Sequence, residues 1–153
     1  MNSHHTVAIG TWEGDKQQSI EYNSSIAVGI DCPRAKLRVS ILLDTIQEYQ
    51  VRYIFSDEEI SEAVNEAGLI IGARGIAYEG VLQRKPVIVV GEYGFGGLVT
   101  PDTLHEQYNN YFRGKINGIK AEYFSLERLE EEIRRGFALT FQELQMMSNQ
   151  TIR

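Results

Sequence analysis

Leu69-Ile70-Ile71-Gly72-Ala73-Arg74-Gly75-Ile76-Ala77-Tyr78-Glu79-Gly80-Val81-Leu82-Gln83-Arg84-Lys85-Pro86-Val87-Ile88-Val89-Val90-Gly91 is the stretch that decides the fold. Two unbroken apolar runs, Leu69 to Gly72 and Pro86 to Gly91, flank a segment in which Ile76, Ala77, Val81 and Leu82 recur at helical spacing. Strands without polar alternation suit a parallel sheet covered on both faces by helices. The stretch therefore predicts a strand, a helix from about Gly75 to Arg84, and a second strand.

The same alternation extends toward the N-terminus. Gly68 closes a helix that begins at Ser56-Asp57-Glu58-Glu59, a sequence with the form of a capping box. Ile60, Ala63, Val64 and Ala67 give that helix a narrow apolar face. Val51-Arg52-Tyr53-Ile54-Phe55 has the β-branched and aromatic content of a strand. Leu37, Ile41, Leu42, Thr45, Ile46 and Tyr49 predict a helix from about Arg34 to Tyr49, and Ile26 to Ile30 a strand before it. Val7-Ala8-Ile9-Gly10 reads as a further short buried strand, while Trp12 to Ser25 is polar and carries no clear pattern.

Toward the C-terminus, Gly91-Glu92-Tyr93-Gly94-Phe95-Gly96-Gly97 reads as a glycine-rich loop. Thr100-Pro101-Asp102 opens a helix, with Thr100 as cap and Pro101 at the first position. Ile119, Ala121 and Tyr123 alternate as in an edge strand. Ser125 caps a final helical region bearing Leu126, Leu129, Ile133 and Phe137, continued by Phe141, Leu144 and Met147. The expected fold class is α/β, a single Rossmann-like domain over residues 1–153 with a mostly parallel sheet and helices on both faces. Residues 1–5 are expected to be disordered.

With 153 residues the chain suits one domain. Its 42% hydrophobic and 24% charged content is that of an ordinary globular protein. The net charge of −6 argues against a general nucleic-acid binder. The single cysteine, Cys32, excludes an internal disulfide framework and fits a reducing compartment. No apolar run approaches the roughly 20 residues of a membrane-spanning helix, and the N-terminus lacks the pattern of a signal peptide. A cytoplasmic protein is expected.

In a sheet of this kind ligands bind at the carboxyl ends of the strands. That makes the loops after Gly10, Ile30, Phe55, Ile71 and Val90 the candidates. Gly72-Ala73-Arg74-Gly75-Ile76 passes from strand directly into helix. Its small residues admit a ligand close to the backbone, and the helix start offers free N–H groups and the positive end of its dipole to a phosphate. Arg74 adds a fork of donors, and Glu79, one turn further, is a carboxylate for ribose hydroxyls. The same spacing also fits a plain tight turn, with Arg74 solvated and Glu79 in a surface ion pair.

The run from Ala67 to Val89 resembles the donor-binding core of glycosyltransferases of the two-Rossmann-domain, GT-B type. Glu79 and Pro86 keep the seven-residue interval between the helix glutamate and the strand-opening proline of those enzymes. The resemblance is good from Val51 to Val90, and nucleotide-sugar epimerases share the same core. It implies that the backbone of Ala73, Gly75 and Ile76, with Arg74, meets a donor diphosphate and that Glu79 holds the ribose. Where many of these enzymes carry an arginine after the first strand's glycine, Thr11 follows Gly10 here, while Lys16 has the spacing of their phosphate-binding lysine. A solvated lysine fits the same position. Gly94 and Phe95 belong to a loop that faces the donor in the resembled enzymes. There, Tyr93 or Phe95 either stacks on a ligand or packs inward.

The implied function is the donor half of a glycosyltransferase, with a nucleoside-diphosphate sugar as substrate and no cofactor or metal. The acceptor half would be a separate subunit or a missing N-terminal domain. A non-catalytic nucleotide-binding or assembly module is the alternative, and an epimerase-like remnant a third.

Overall fold

The computed structural model describes residues 4–13, 16–115 and 118–151, with side chains described from residue 23 onward. Its centre is a five-stranded sheet. In chain order the strands are β3 (Ser25–Gly29), β4 (Gln50–Tyr53), β5 (Leu69–Gly72), β6 (Val87–Gly91) and β7 (Gly94–Leu98), and their order across the sheet is β4-β3-β5-β6-β7. The first four are mutually parallel and β7 is antiparallel to β6. The helices are α1 (Pro33–Ile46), α2 (Ile60–Glu66), α3 (Arg74–Leu82), α4 (Leu104–Asn109), α5 (Leu126–Phe137) and α6 (Phe141–Thr151). The chain is thus a Rossmann-like α/β fold.

Alternation along each buried strand divides the apolar residues between two cores. Ile26, Val28, Leu69, Ile71, Ile88 and Val90 face α1 and α5, where Val39, Leu43, Leu129 and Ile133 complete the packing. Ala27, Ile70, Val87 and Val89 face the opposite side, against Ala63 and Val64 of α2, Ala77 and Val81 of α3, Leu104 of α4 and Met147 of α6. The sheet is apolar on both faces because both are covered.

Several elements differ from the sequence expectation. Val7 to Gly10 belongs to β1 (His4–Glu13), which pairs antiparallel with β2 (Lys16–Asn23) in a separate two-stranded sheet. A parallel crossover needs a dozen or more residues, usually a helix, and Thr11 to Ser24 contains no helical pattern. Residues 1–3 of the expected disordered tip lie outside the described residues, while His4 and His5 open β1.

The glycine-rich loop is mostly strand. Gly91 pairs with Gly94, leaving Glu92-Tyr93 as the two-residue turn of a hairpin, and residues 94–98 form β7. Its glycines let neighbours close in, since a Cβ on Gly96 would lie 2.9 Å from Gln107 Oε1 and 3.1 Å from Val89. Ile119 to Tyr123 is no strand. Residues 121–123 turn, and only the Ile119 carbonyl reaches β7, accepting from Phe95 N–H at 2.8 Å.

At the start of the α2 region, Ser56 Oγ bonds the Glu59 carboxylate itself at 3.2 Å rather than a backbone N–H, because residues 57–59 wind as a 3-10 turn. The Thr100 hydroxyl and the Thr103 hydroxyl each accept from the other residue's N–H ahead of α4. Ser125 caps α5 as expected, accepting from Arg128 N–H at 3.1 Å. No helix of the described residues is long and apolar enough to cross a membrane.

Candidate functional site

From β3 the chain moves outward to β4, then returns across β3 to place β5 on its other side. The carboxyl ends of β3 and β5 therefore face a point where the two halves of the sheet diverge, which opens a crevice. A cleft of about 380 Å3 occupies it, within the usual range for a small-molecule site. The loops after Ile30, Phe55, Ile71 and Val90 all line it. The loop expected after Gly10 does not exist, since Gly10 lies inside β1.

Two helix starts meet at this cleft. Cys32 precedes α1 and Ala73 precedes α3, and neither residue supplies a side-chain cap. The first N–H groups of a helix have no intrahelical acceptor, so both starts present donors and positive dipole ends. At α3 the Arg74 N–H is taken by the Phe112 carbonyl at 3.0 Å.

The glycines of the turn serve different ends. A Cβ on Gly72 would lie 2.5 Å from the Gly29 carbonyl oxygen and 2.6 Å from Ile76 Cγ2. Gly72 is thus demanded by the packing of β3, β5 and α3. A Cβ on Gly75 would meet only Ile60 Cδ1, at 3.8 Å, and the backbone φ there is not positive. Nothing in the fold requires glycine at position 75, and the bare backbone lines the cleft.

Arg74 lies beside it with φ of +56°, a conformation that costs a non-glycine residue on the order of 1 kcal/mol. Its guanidinium is half-exposed and ion-paired to Glu92 across the cleft. Tyr111 and Phe112 also have positive φ, 58° and 57°. Tyr111 lines the cleft, and Phe112 accepts the Arg74 N–H. Gln47 and Arg84, the other non-glycine residues at positive φ among the described residues, lie at helix ends away from the cleft.

Of the residues singled out from sequence, Ala73, Arg74, Gly75 and Ile76 come together in the cleft, with Gly72 at the strand end behind them. Glu79 does not reach it. Its carboxylate accepts from Gln83 Nε2 at 2.7 Å, and the same amide donates to the Ser61 carbonyl at 3.2 Å, tying α3 to α2. Gly94 and Phe95 are also elsewhere. Phe95 is 4% exposed and stacks on Phe124 at 4.6 Å, because β7 turns it into the α5 side of the core. Tyr93 is held by Arg113, whose Nη1 donates to its hydroxyl at 3.0 Å. That bond holds the guanidinium above its usual range. The Lys16 backbone pairs with Glu13 in the hairpin, and its side chain lies outside the described residues.

Asp31 and Asp57 line the cleft without having stood out in the sequence, and Tyr111, whose helical spacing with Tyr108 and Phe112 suits a core position, is exposed and lines it too. Asp31 and Asp57 follow strands whose ends were expected to carry ligands, so strand order would have found them. Tyr111 arrives through a turn after α4 that no local pattern announces.

The fold and the cleft place the chain among Rossmann-like α/β domains with a crevice at the switch point of the sheet. No protein-family model matches the chain, and neither do any curated proteins or solved structures.

Proposed function

We propose that the cleft binds the diphosphate of a nucleoside-diphosphate sugar and that the chain is the donor-binding half of a glycosyltransferase. The observation that carries this is Gly75, a glycine the fold does not need, at an uncapped helix start beside a strained arginine. A phosphate placed there meets N–H groups that no side chain reaches, and Arg74 exchanges the Glu92 carboxylate for it. An exposed ion pair of this kind is worth only about 0–1 kcal/mol, so the exchange is cheap.

Asp31 and Asp57, rather than Glu79, are placed to accept ribose hydroxyls, since both line the cleft at the ends of neighbouring strands. Sugar transfer would further need an acceptor-binding half facing the cleft. In that reading the helix starts and Arg74 stabilise the charge that develops on the departing diphosphate.

Calorimetric titration with UDP, GDP and ADP tests the proposal. Saturable binding of at least one is expected, weakened about ten-fold by Arg74→Ala, the effect of one charge-assisted hydrogen bond. Asp57→Ala is expected to weaken it as well, and Glu79→Ala to leave it unchanged. A folded protein that binds none of the three rules the donor site out. Sugar transfer appearing only on addition of an acceptor-binding partner would separate the split enzyme from a module that binds without transferring.

A further inference from the structure

The open edge of the sheet carries a second polar concavity. A groove of about 440 Å3 runs along β7 between α4 and α5, floored by Gly96 and Gly97. At its wall Glu132 is 2% exposed, a depth a carboxylate rarely reaches unpaired. Its Oε1 accepts the outward N–H of Leu98 at 2.7 Å, sealing the strand edge. Its Oε2 accepts from both Arg128 Nε and Arg135 Nη1, each at 3.1 Å.

Glu132 neutralises one guanidinium and Glu106 of the same lining offsets the other, so Lys115 leaves the groove one surplus positive charge. Arg128 is further fixed by the Phe95 ring, 5.2 Å from its Cζ. The remaining N–H groups of both arginines have no acceptor among the described residues. Lys115 lines the same groove, and Glu106 of α4 is its other carboxylate. Edge sealing alone would account for Glu132 and a single arginine. It leaves the second arginine unused, whereas the glycines of the floor are required by the fold: Gly96 by its approach to Gln107 and Val89, and Gly97 by its φ of +79°.

We propose that this groove is a second ligand site, taking the phosphate of a sugar-sized phosphate monoester. Arg128, Arg135 and Lys115 supply the cationic donors, a match for an anion with several acceptor oxygens. Glu106 accepts from the hydroxyls. The site shares no lining residue with the cleft and does not rest on the nucleotide proposal.

Titration of the full chain with glucose 6-phosphate and with inorganic phosphate is the test. The sugar phosphate is expected to bind roughly ten-fold more tightly than inorganic phosphate. Arg135→Ala and the exposed Lys115→Glu are each expected to weaken it about five- to ten-fold. Arg135→Ala leaves Glu132 its bonds to Arg128 and Leu98, and Lys115 makes no side-chain hydrogen bond or ion pair among the described residues, so both variants keep the fold. Equal affinity for the two probes, absence of saturable binding, or indifference to both variants overturns the proposal. Loss of binding in Arg74→Ala would also overturn it, by assigning the phosphate to the cleft.

Discussion

Gly72 and Gly75 lie three residues apart in the turn from β5 to α3 and are glycine for different reasons. At Gly72 an added methyl meets a backbone carbonyl at 2.5 Å, so Gly72→Ala should cost about 2–3 kcal/mol in a urea titration, the range for overpacking. At Gly75 the same change, within a helix, meets only Ile60 Cδ1 at an ordinary contact distance of 3.8 Å. Gly75→Ala should raise stability by about 0.4–1 kcal/mol through the unfolded chain, while nucleotide binding falls. Binding left intact in that variant would remove the ligand reason for the glycine. Arg74→Gly makes the complementary case. It should relieve the cost of the positive φ, leaving the thermal midpoint no lower, and weaken binding about ten-fold. Both glycines and Arg74 were legible in the sequence as a strand-to-helix turn. Their separate roles were not, because they depend on Gly29, Ile76 and Ile60, which come from other elements.

At the scale of elements, β7 shows how an exposed strand edge is closed without another strand. Three of its outward groups are taken by side chains: Leu98 N–H by Glu132, the Leu98 carbonyl by Thr103 at 3.2 Å, and the Gly96 carbonyl by Gln107 at 2.9 Å, while Phe95 N–H donates to the Ile119 carbonyl. Glu132→Ala should cost about 2–3 kcal/mol by leaving a buried N–H without an acceptor, measured as a lower urea midpoint at unchanged slope. The long element patterns were readable. Strands β3 to β6 and helices α1, α3 and α5 lie within a few residues of where the patterns put them, although Leu37 and Ile41 of the set that predicted α1 are exposed and Ala35, Val39, Leu42 and Leu43 are its buried residues. The hairpin of β1 and β2, strand β7 and the turn at 121–123 were not. In polar or glycine-rich segments the pairing partner rather than local preference selects the strand.

At the scale of the molecule, the cleft depends on layers behind it. α6 covers α3 from outside: Met147 is 2% exposed and Ser148 Oγ donates to the Leu82 carbonyl at 2.8 Å. Met147→Ala should cost about 2–4 kcal/mol, the range for emptying a buried methionine site. Because α3 carries Gly75 and Arg74, its looser seating should also weaken nucleotide binding. A loss of stability with affinity unchanged would show that the helix start is held by β5 alone.

The sequence by itself determined the α/β class, because buried parallel strands and amphipathic helices differ in apolar period over lengths too great to mistake. It also put small residues, an arginine and a helix start together in the turn from Gly72 to Ile76, since all three are local. Only the tertiary structure decided which side chains share the cleft. The order of strands brought Asp31, Asp57 and Tyr111 to that turn. The pitch of α3 and its packing against α2 drew Glu79 away, and the hairpin of β7 sent Phe95 into the core. Each of these is a contact between segments far apart in the chain, set by which faces must be buried together rather than by any residue's own neighbours.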